Sequence, residues 1–174
     1  MHRIIFGILT LVLISSVVIA APEPAVVQPP GLWTLDATFK HLQPIKVQIK
    51  PEARPERFWY IILTVTNNTG REVGFYPYAE LMTDTFQLIP SGKDVPDLVY
   101  KRLKQRYKRT YPFLQTLPDV GNRILQGVNN AKDIVIVWPD FDPQANNVKL
   151  FMSGLSNETA VVRHPVIKNE QGEP

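Results

Sequence analysis

The sequence predicts a mainly β protein: an immunoglobulin-like antiparallel β-sandwich of about seven strands, with one inserted amphipathic helix. Several short segments alternate apolar and polar residues, as strands with one buried face do. Turn-forming residues separate these segments, and the 16 prolines of the chain suit turns and edge strands better than helices. One segment, 97–109, departs from the alternation and shows helical spacing instead. A single-domain chain of this kind, without internal repeats, favours two packed antiparallel sheets.

The most apolar stretch, residues 58–66, is the central strand of this prediction. Its two alternating rows are both apolar, aromatic or β-branched, so we expect it to be covered on both faces. The turn sequence 67–70, NNTG, follows and predicts a hairpin with the next strand. Trp59 and Trp138 lie on the two most apolar strands, and we expect both to be largely buried. The other predicted strands are 33–40, 45–50, 72–82 with a bend at Pro77, 85–89, 123–128, 134–138, 148–153 and 159–163.

The predicted helix spans Asp97 to Arg109 and carries the main candidate site. Pro96 suits a helix start, and Pro112 ends the pattern. Val99, Leu103 and Tyr107 form one narrow apolar stripe, so we expect the helix to dock while its charges face water. The positions between are basic, which indicates either a solvated helix face or an anion-binding surface for an acidic partner. The anion-binding candidates are Lys101, Arg102, Lys104, Arg106, Lys108 and Arg109.

The N-terminus has the layout of a secretory signal peptide. A basic start precedes an apolar run, and small residues end at Ala20, which predicts a signal peptide over 1–20. A Pro-rich linker over 21–31, the sandwich over 32–163 and a tail over 164–174 complete the predicted organisation. The predicted location is periplasmic or secreted. The alternative is an uncleaved N-terminal anchor, and membrane contact is expected only in that case.

Composition excludes several kinds of chemistry. The chain has no cysteine, so it has no disulfide, thiol nucleophile, zinc–thiolate centre or acylated lipoprotein cysteine. The net charge of +3 is too small to indicate nucleic acid as a partner. No Gly-rich phosphate loop or G-x-S-x-G motif is present, and no cofactor is expected.

The remaining candidates for chemistry are weak. Asp140 and Asp142 form the best oxygen-ligand cluster for Ca²⁺, although an ordinary turn explains the same residues. Glu80 and Asp84 are a candidate acid–base pair, but exposed strand carboxylates are mostly solvated. The histidines stand alone in the sequence, without the spacing of a metal or catalytic site; they are His2, His41 and His164.

Three segments resemble a group of exported bacterial proteins of unknown function that have an immunoglobulin-like domain. They are WTLDATFK, WYIILTVTNNTGREV and IVIVWPDFDPQANNVKLFMSGLSNET. The resemblance covers about residues 31–162. It implies the sandwich fold and export, and it implies no activity.

Three function classes therefore remain open. The favoured one is a non-catalytic interaction module of the cell envelope, whose partner is an envelope protein or an anionic polymer. The second is a binder of anionic polymers or lipid headgroups through the basic helix. The third is an enzyme, for which no catalytic constellation is visible.

Overall fold

The computed structural model describes residues 31–159. This part of the chain is mainly β, with one α-helix and several sheets. The predicted signal peptide, most of the linker, all but the first residue of the last predicted strand and the tail lie outside these residues. No helix among the described residues is long and apolar enough to cross a membrane. The elements are β1 (Asp36–Phe39), β2 (Gln43–Val47), β3 (Glu56–Thr66), β4 (Val73–Gly74), β5 (Tyr78–Thr83), β6 (Leu88–Pro90), α1 (Asp97–Tyr107), β7 (Gln115–Thr116), β8 (Arg123–Ile124), β9 (Lys132–Pro139) and β10 (Val148–Ser153).

The long strand β3 is the centre of the largest sheet. The antiparallel strands β1 and β2 pair with its two halves along one side, and β9 pairs with it along the other. Phe39 lies opposite Leu63 and Gln43 lies opposite Tyr60, so the β1–β2 edge carries one residue more than β3 over this span. Such an extra residue is a bulge, which bends the edge locally. The short strand β7 completes the sheet by pairing with β9 in parallel.

Both faces of β3 are covered, as its sequence predicts. Ile61, Leu63 and Val65 face a second antiparallel sheet of order β10-β5-β6, whose Ala79 and Leu81 belong to the same buried cluster. The opposite face carries a second buried cluster, in which β3 and β9 pack against α1. The domain therefore has three layers, and the helix covers the outer face of the central sheet.

The predicted helix is confirmed, although it ends two residues early. It begins at Asp97 as expected and ends at Tyr107 rather than Arg109. The backbone N–H groups of Thr110 and Tyr111 both bond to the carbonyl of Tyr107, which turns the chain out of the helix before Pro112. The immunoglobulin-like sandwich of about seven antiparallel strands is not confirmed, because the described residues form ten strands and one pair is parallel.

The predicted hairpin after β3 is wrong. The strand that follows the turn, β4, pairs with β8 in a separate two-stranded sheet. The side chain of Asn67 explains the difference: it is fully buried and donates to the carbonyls of Arg71, at 2.7 Å, and Ile124, at 2.9 Å. Asn67 thus holds β8 beside the turn, and its amide fixes a connection rather than a tight reversal.

The prediction of two buried tryptophans is half right. Trp138 is fully buried in the core between the sheets. Trp59 is only partly buried, because its ring stacks on Phe141 at 5.1 Å and its indole N–H donates to the exposed carboxylate of Asp140. An indole can have an apolar body and a polar edge at the surface, which the apolar character of the strand does not reveal.

Candidate functional site

Helix α1 is docked by a few residues on one side. Val99 and Leu103 are fully buried against the central sheet. Every one of the six candidate cations is exposed, because the helical period places them away from this buried stripe. The docking therefore fixes the backbone of the helix and leaves its charges on the surface.

The cations on α1 divide into two flanks. Arg102 and Arg106, four residues apart, form the arginine flank, which faces β2. Lys101, Lys104 and Lys108 form the lysine flank, on the side of residues 111–119. Arg109 lies just past the helix end and is exposed. The two flanks have different chemistry, since a guanidinium forks two N–H donors in a plane and an ammonium is a point charge.

Only one of the six cations has an ion pair within residues 31–159. Lys104 lies 3.3 Å from the Asp119 carboxylate. That carboxylate also accepts the Thr116 hydroxyl at 2.8 Å. The Thr116 hydrogen bond and then the Lys104 contact lower the pKa of Asp119. Lys104 is thus paired by the fold, whereas the other five candidates have no ion pair within the described residues.

A groove of about 550 Å³ runs between the arginine flank and β2. Its walls are residues 44–48 on the strand side and Arg102, Gln105 and Arg106 on the helix side. Lys46 adds a third cation to the lining, and no acidic residue contributes. We call this space the arginine groove. Its composition favours a negatively charged ligand.

A partly buried chain of polar side chains lies beside the arginine groove. The phenol oxygens of Tyr60 and Tyr107 are 2.9 Å apart, and Tyr60 donates to the Gln43 side chain at 2.9 Å. Arg106 Nη1 donates to the Tyr60 oxygen over a long 3.4 Å. Burial, and then the hydrogen bond with Tyr107, raises the pKa of Tyr60 to about 12, so this phenol is neutral at ordinary pH. Arg106 is thereby linked to the central strand of the domain.

The lysine flank borders a larger cleft of about 700 Å³. Residues 135–137 of β9 contribute to its apolar lining, and Lys101 and Lys104 share its surface with Asp97 and Asp119. Burial, and secondarily the Asp97 carboxylate, raises the pKa of Tyr100 at this site. Because acids and bases are balanced here, the cleft has less preference for anions than the arginine groove.

The calcium candidates have other partners in the structure. Asp140 Oδ1 accepts hydrogen bonds from Arg57 Nε at 2.8 Å and from Trp59 Nε1 at 2.9 Å. Burial opposes ionisation of Asp140, but these two donors outweigh it and lower its pKa. Asp142 accepts the backbone N–H of Gln144 at 2.9 Å, which is a local turn. Residues 31–159 contain no group of three or more His, Cys, Asp or Glu side chains that could hold a metal ion.

The candidate acid–base pair is also engaged separately. Glu80 accepts the Tyr78 hydroxyl at 3.0 Å. Asp84 accepts the backbone N–H groups of Asn146 and Asn147 and so shapes the loop before β10. His41 is exposed, and His164 lies outside the described residues. Each of these carboxylates has a local structural explanation.

No protein-family model, curated protein or solved structure matches this chain. The sequence indicated the cations of the helix but not Lys46 in the groove, nor Gln43 and Tyr60 in the polar chain beside it. One feature of the sequence did point to the site, namely the i, i+4 spacing of the two arginines. This spacing places them on the same side of the helix, however the helix packs on the sheet.

Proposed function

We propose that the protein is an exported, non-catalytic interaction module that binds an anionic partner through the cationic surface of α1. The partner class is an envelope protein with an acidic surface, an anionic polymer or a lipid surface. The observation that carries the proposal is the imbalance of charge on this helix. Of the six cations, Lys104 alone has an ion pair within the described residues.

The docking of the helix does not require these charges. Val99 and Leu103 supply the fully buried contacts, and the cations lie outside them. Like charges four residues apart destabilise a helix by about 0.2–0.5 kcal/mol per pair, and Arg102–Arg106 and Lys104–Lys108 both have this spacing. A bound anion removes that repulsion and gains charge-assisted hydrogen bonds.

Export and the immunoglobulin-like character belong to the same proposal. They rest on the signal-peptide layout of residues 1–20 and on the resemblance to exported bacterial proteins over about residues 31–162. Two packed sheets around β3 are compatible with that fold class. Membrane contact through the N-terminus enters the proposal only if the signal is not cleaved.

The test is co-sedimentation of the purified protein with phosphatidylglycerol-containing vesicles and with dextran sulfate beads. Binding is expected at about 20 mM salt and should weaken strongly at about 150 mM, because salt screens exposed charges. The test variant leaves the Lys104–Asp119 pair intact. It replaces four other cations of the helix by glutamine: Lys101, Arg102, Arg106 and Lys108. The control variant removes the same number of exposed charges elsewhere: Lys50, Arg54, Lys93 and Lys149.

The two variants separate a site from general charge attraction. The test variant should lose binding, and the control variant should retain most of it. Equal losses in both would show that net charge alone drives association. No binding by wild type at low salt would refute the proposed function.

A further inference from the structure

We propose that the arginine groove is a binding site for a phosphate group, either of a soluble phosphoester or of a phospholipid headgroup. This inference rests on the proposed function and assigns it to one place on the domain. The groove lies between the arginine flank and β2, and its lining holds Arg102, Arg106 and Lys46 without an acidic side chain. The lysine flank is outside the proposed site.

The spacing of the two arginines suits a tetrahedral anion. Residues four apart on a helix have Cβ atoms about 5–6 Å apart, so two guanidinium forks can reach one group placed between them. A carboxylate has two oxygens, which a single fork satisfies. A phosphate has further oxygens for the second fork and for the Gln105 amide, which lines the same groove. The pair therefore matches phosphate better than carboxylate.

The site is partly organised before a ligand arrives. Arg106 contacts the Tyr60 hydroxyl, and Tyr60 is held by Gln43 and Tyr107. A side chain held in this way loses less conformational entropy on binding than a free one. Only one of the five N–H donors of Arg106 is used in the Tyr60 contact, so the guanidinium keeps donors for an anion. Arg102 has no ion pair within the described residues and is free to close from the same flank.

Lys46 has a secondary part in this proposal. It is exposed and lines the strand side of the groove. Strand alternation places its side chain on the opposite face of β2 from Ile45 and Val47, so its ammonium would have to reach a ligand around the free edge of the strand. We therefore expect Lys46 to contribute general attraction and the arginines to contribute recognition.

The experiment is a titration of the purified protein, observed by NMR at the arginine Nε–Hε groups in wild type and at the backbone amides of α1 and β2 in every variant. The ligands are glycerol phosphate, acetate as the carboxylate comparison, and vesicles with or without phosphatidylglycerol. The test variant is Arg102→Gln with Arg106→Gln. The matched control is Lys101→Gln with Lys108→Gln, which removes two charges from the other flank. A third variant, Arg102→Lys with Arg106→Lys, keeps the charge and removes the forks. Circular dichroism checks that each variant is folded.

Glycerol phosphate should shift the Nε–Hε resonances of Arg102 and Arg106, and acetate should shift them much less. The arginine-to-glutamine variant should bind at least about tenfold more weakly, since charge-assisted hydrogen bonds are lost. The affinity of the control, Lys101→Gln with Lys108→Gln, should stay within about twofold of wild type, because exposed charges contribute little individually. If the protein binds phosphatidylglycerol vesicles but not glycerol phosphate, with the same dependence on the arginines, the phosphate belongs to a lipid headgroup.

Three outcomes overturn the inference, and they differ in what else they affect. Equal weakening by the two glutamine variants removes the groove as the site but leaves anion binding by α1 intact. Equal shifts with acetate and glycerol phosphate remove the preference for phosphate. The absence of any binding by wild type removes the phosphate site, whereas the proposed function falls only if the protein also fails to bind dextran sulfate at low salt.

Discussion

Leu103 is the residue whose truncation tests whether α1 belongs to the core of the domain. It is fully buried, with Val99, in the cluster that joins the helix to β3 and β9. Replacing a buried leucine by alanine costs about 2–5 kcal/mol, because the transfer free energy is lost and a cavity remains. If Leu103→Ala lowers the free energy of unfolding by about 3 kcal/mol, its Tm should fall by roughly 6–12 °C in a domain of this size.

The assay is thermal unfolding followed both by far-UV circular dichroism and by tryptophan fluorescence. Both signals should shift together, because the central sheet shared by α1 also carries the buried Trp138. Leu88→Ala is the matched control, since it makes the same deletion where the side chain is 59% exposed, and it should cost far less. If Leu103→Ala melts like this control, the helix is not packed as described. Loss of the helical signal before the fluorescence signal would show a helix that detaches by itself.

Two further predictions concern a glycine and an acid. Gly154→Ala should cost more than the roughly 1–2 kcal/mol of a left-handed alanine, measured by chemical denaturation, because its φ is +84° and a Cβ would lie 2.5 Å from the Tyr76 carbonyl oxygen. The pKa of Asp140 is lowered, so its pairing with Arg57 stabilises the fold above the unfolded pKa of about 3.9 and is lost as the pH falls through the lower folded pKa. Asp140→Asn should therefore be less stable than wild type at neutral pH and converge with it in acid, whereas the exposed Glu52→Gln should match wild type at both.

The elements of this fold that could be predicted are those set by local sequence. The bounds of β10 and the start of α1 match the prediction, because alternation and the Pro96–Asp97 start are local features. The pairing of β4 with β8 could not be predicted. It depends on the Asn67 amide reaching the Ile124 carbonyl, 57 residues away, and a turn motif does not identify distant partners. The parallel pairing of β7 with β9 is non-local in the same way.

The candidate site was predictable only from the helix side. Residue spacing alone gives the exposure of the cations and the shared flank of Arg102 and Arg106. The groove needs a second wall, and β2 forms it only because β2 pairs with the first half of β3 while α1 packs across the same sheet. Lys46 therefore looked like an ordinary polar position of a strand. Its place near the arginines follows from strand pairing, which the alternation of one strand does not contain.

The three ion pairs of the described residues support the case for the arginine flank of α1. Within residues 31–159, Arg57 pairs with Asp140, Arg123 pairs with Glu72 and Lys104 pairs with Asp119. Each pair brings an acid from at least 15 residues away in sequence. The chain thus provides acids at these three cations through long-range folding contacts. Within the same residues no acid pairs with Arg102, whose neighbour in the groove is a second arginine. Two guanidinium groups four residues apart without an acid between them destabilise the helix by about 0.2–0.5 kcal/mol, and the anion that we propose as a ligand would remove this repulsion.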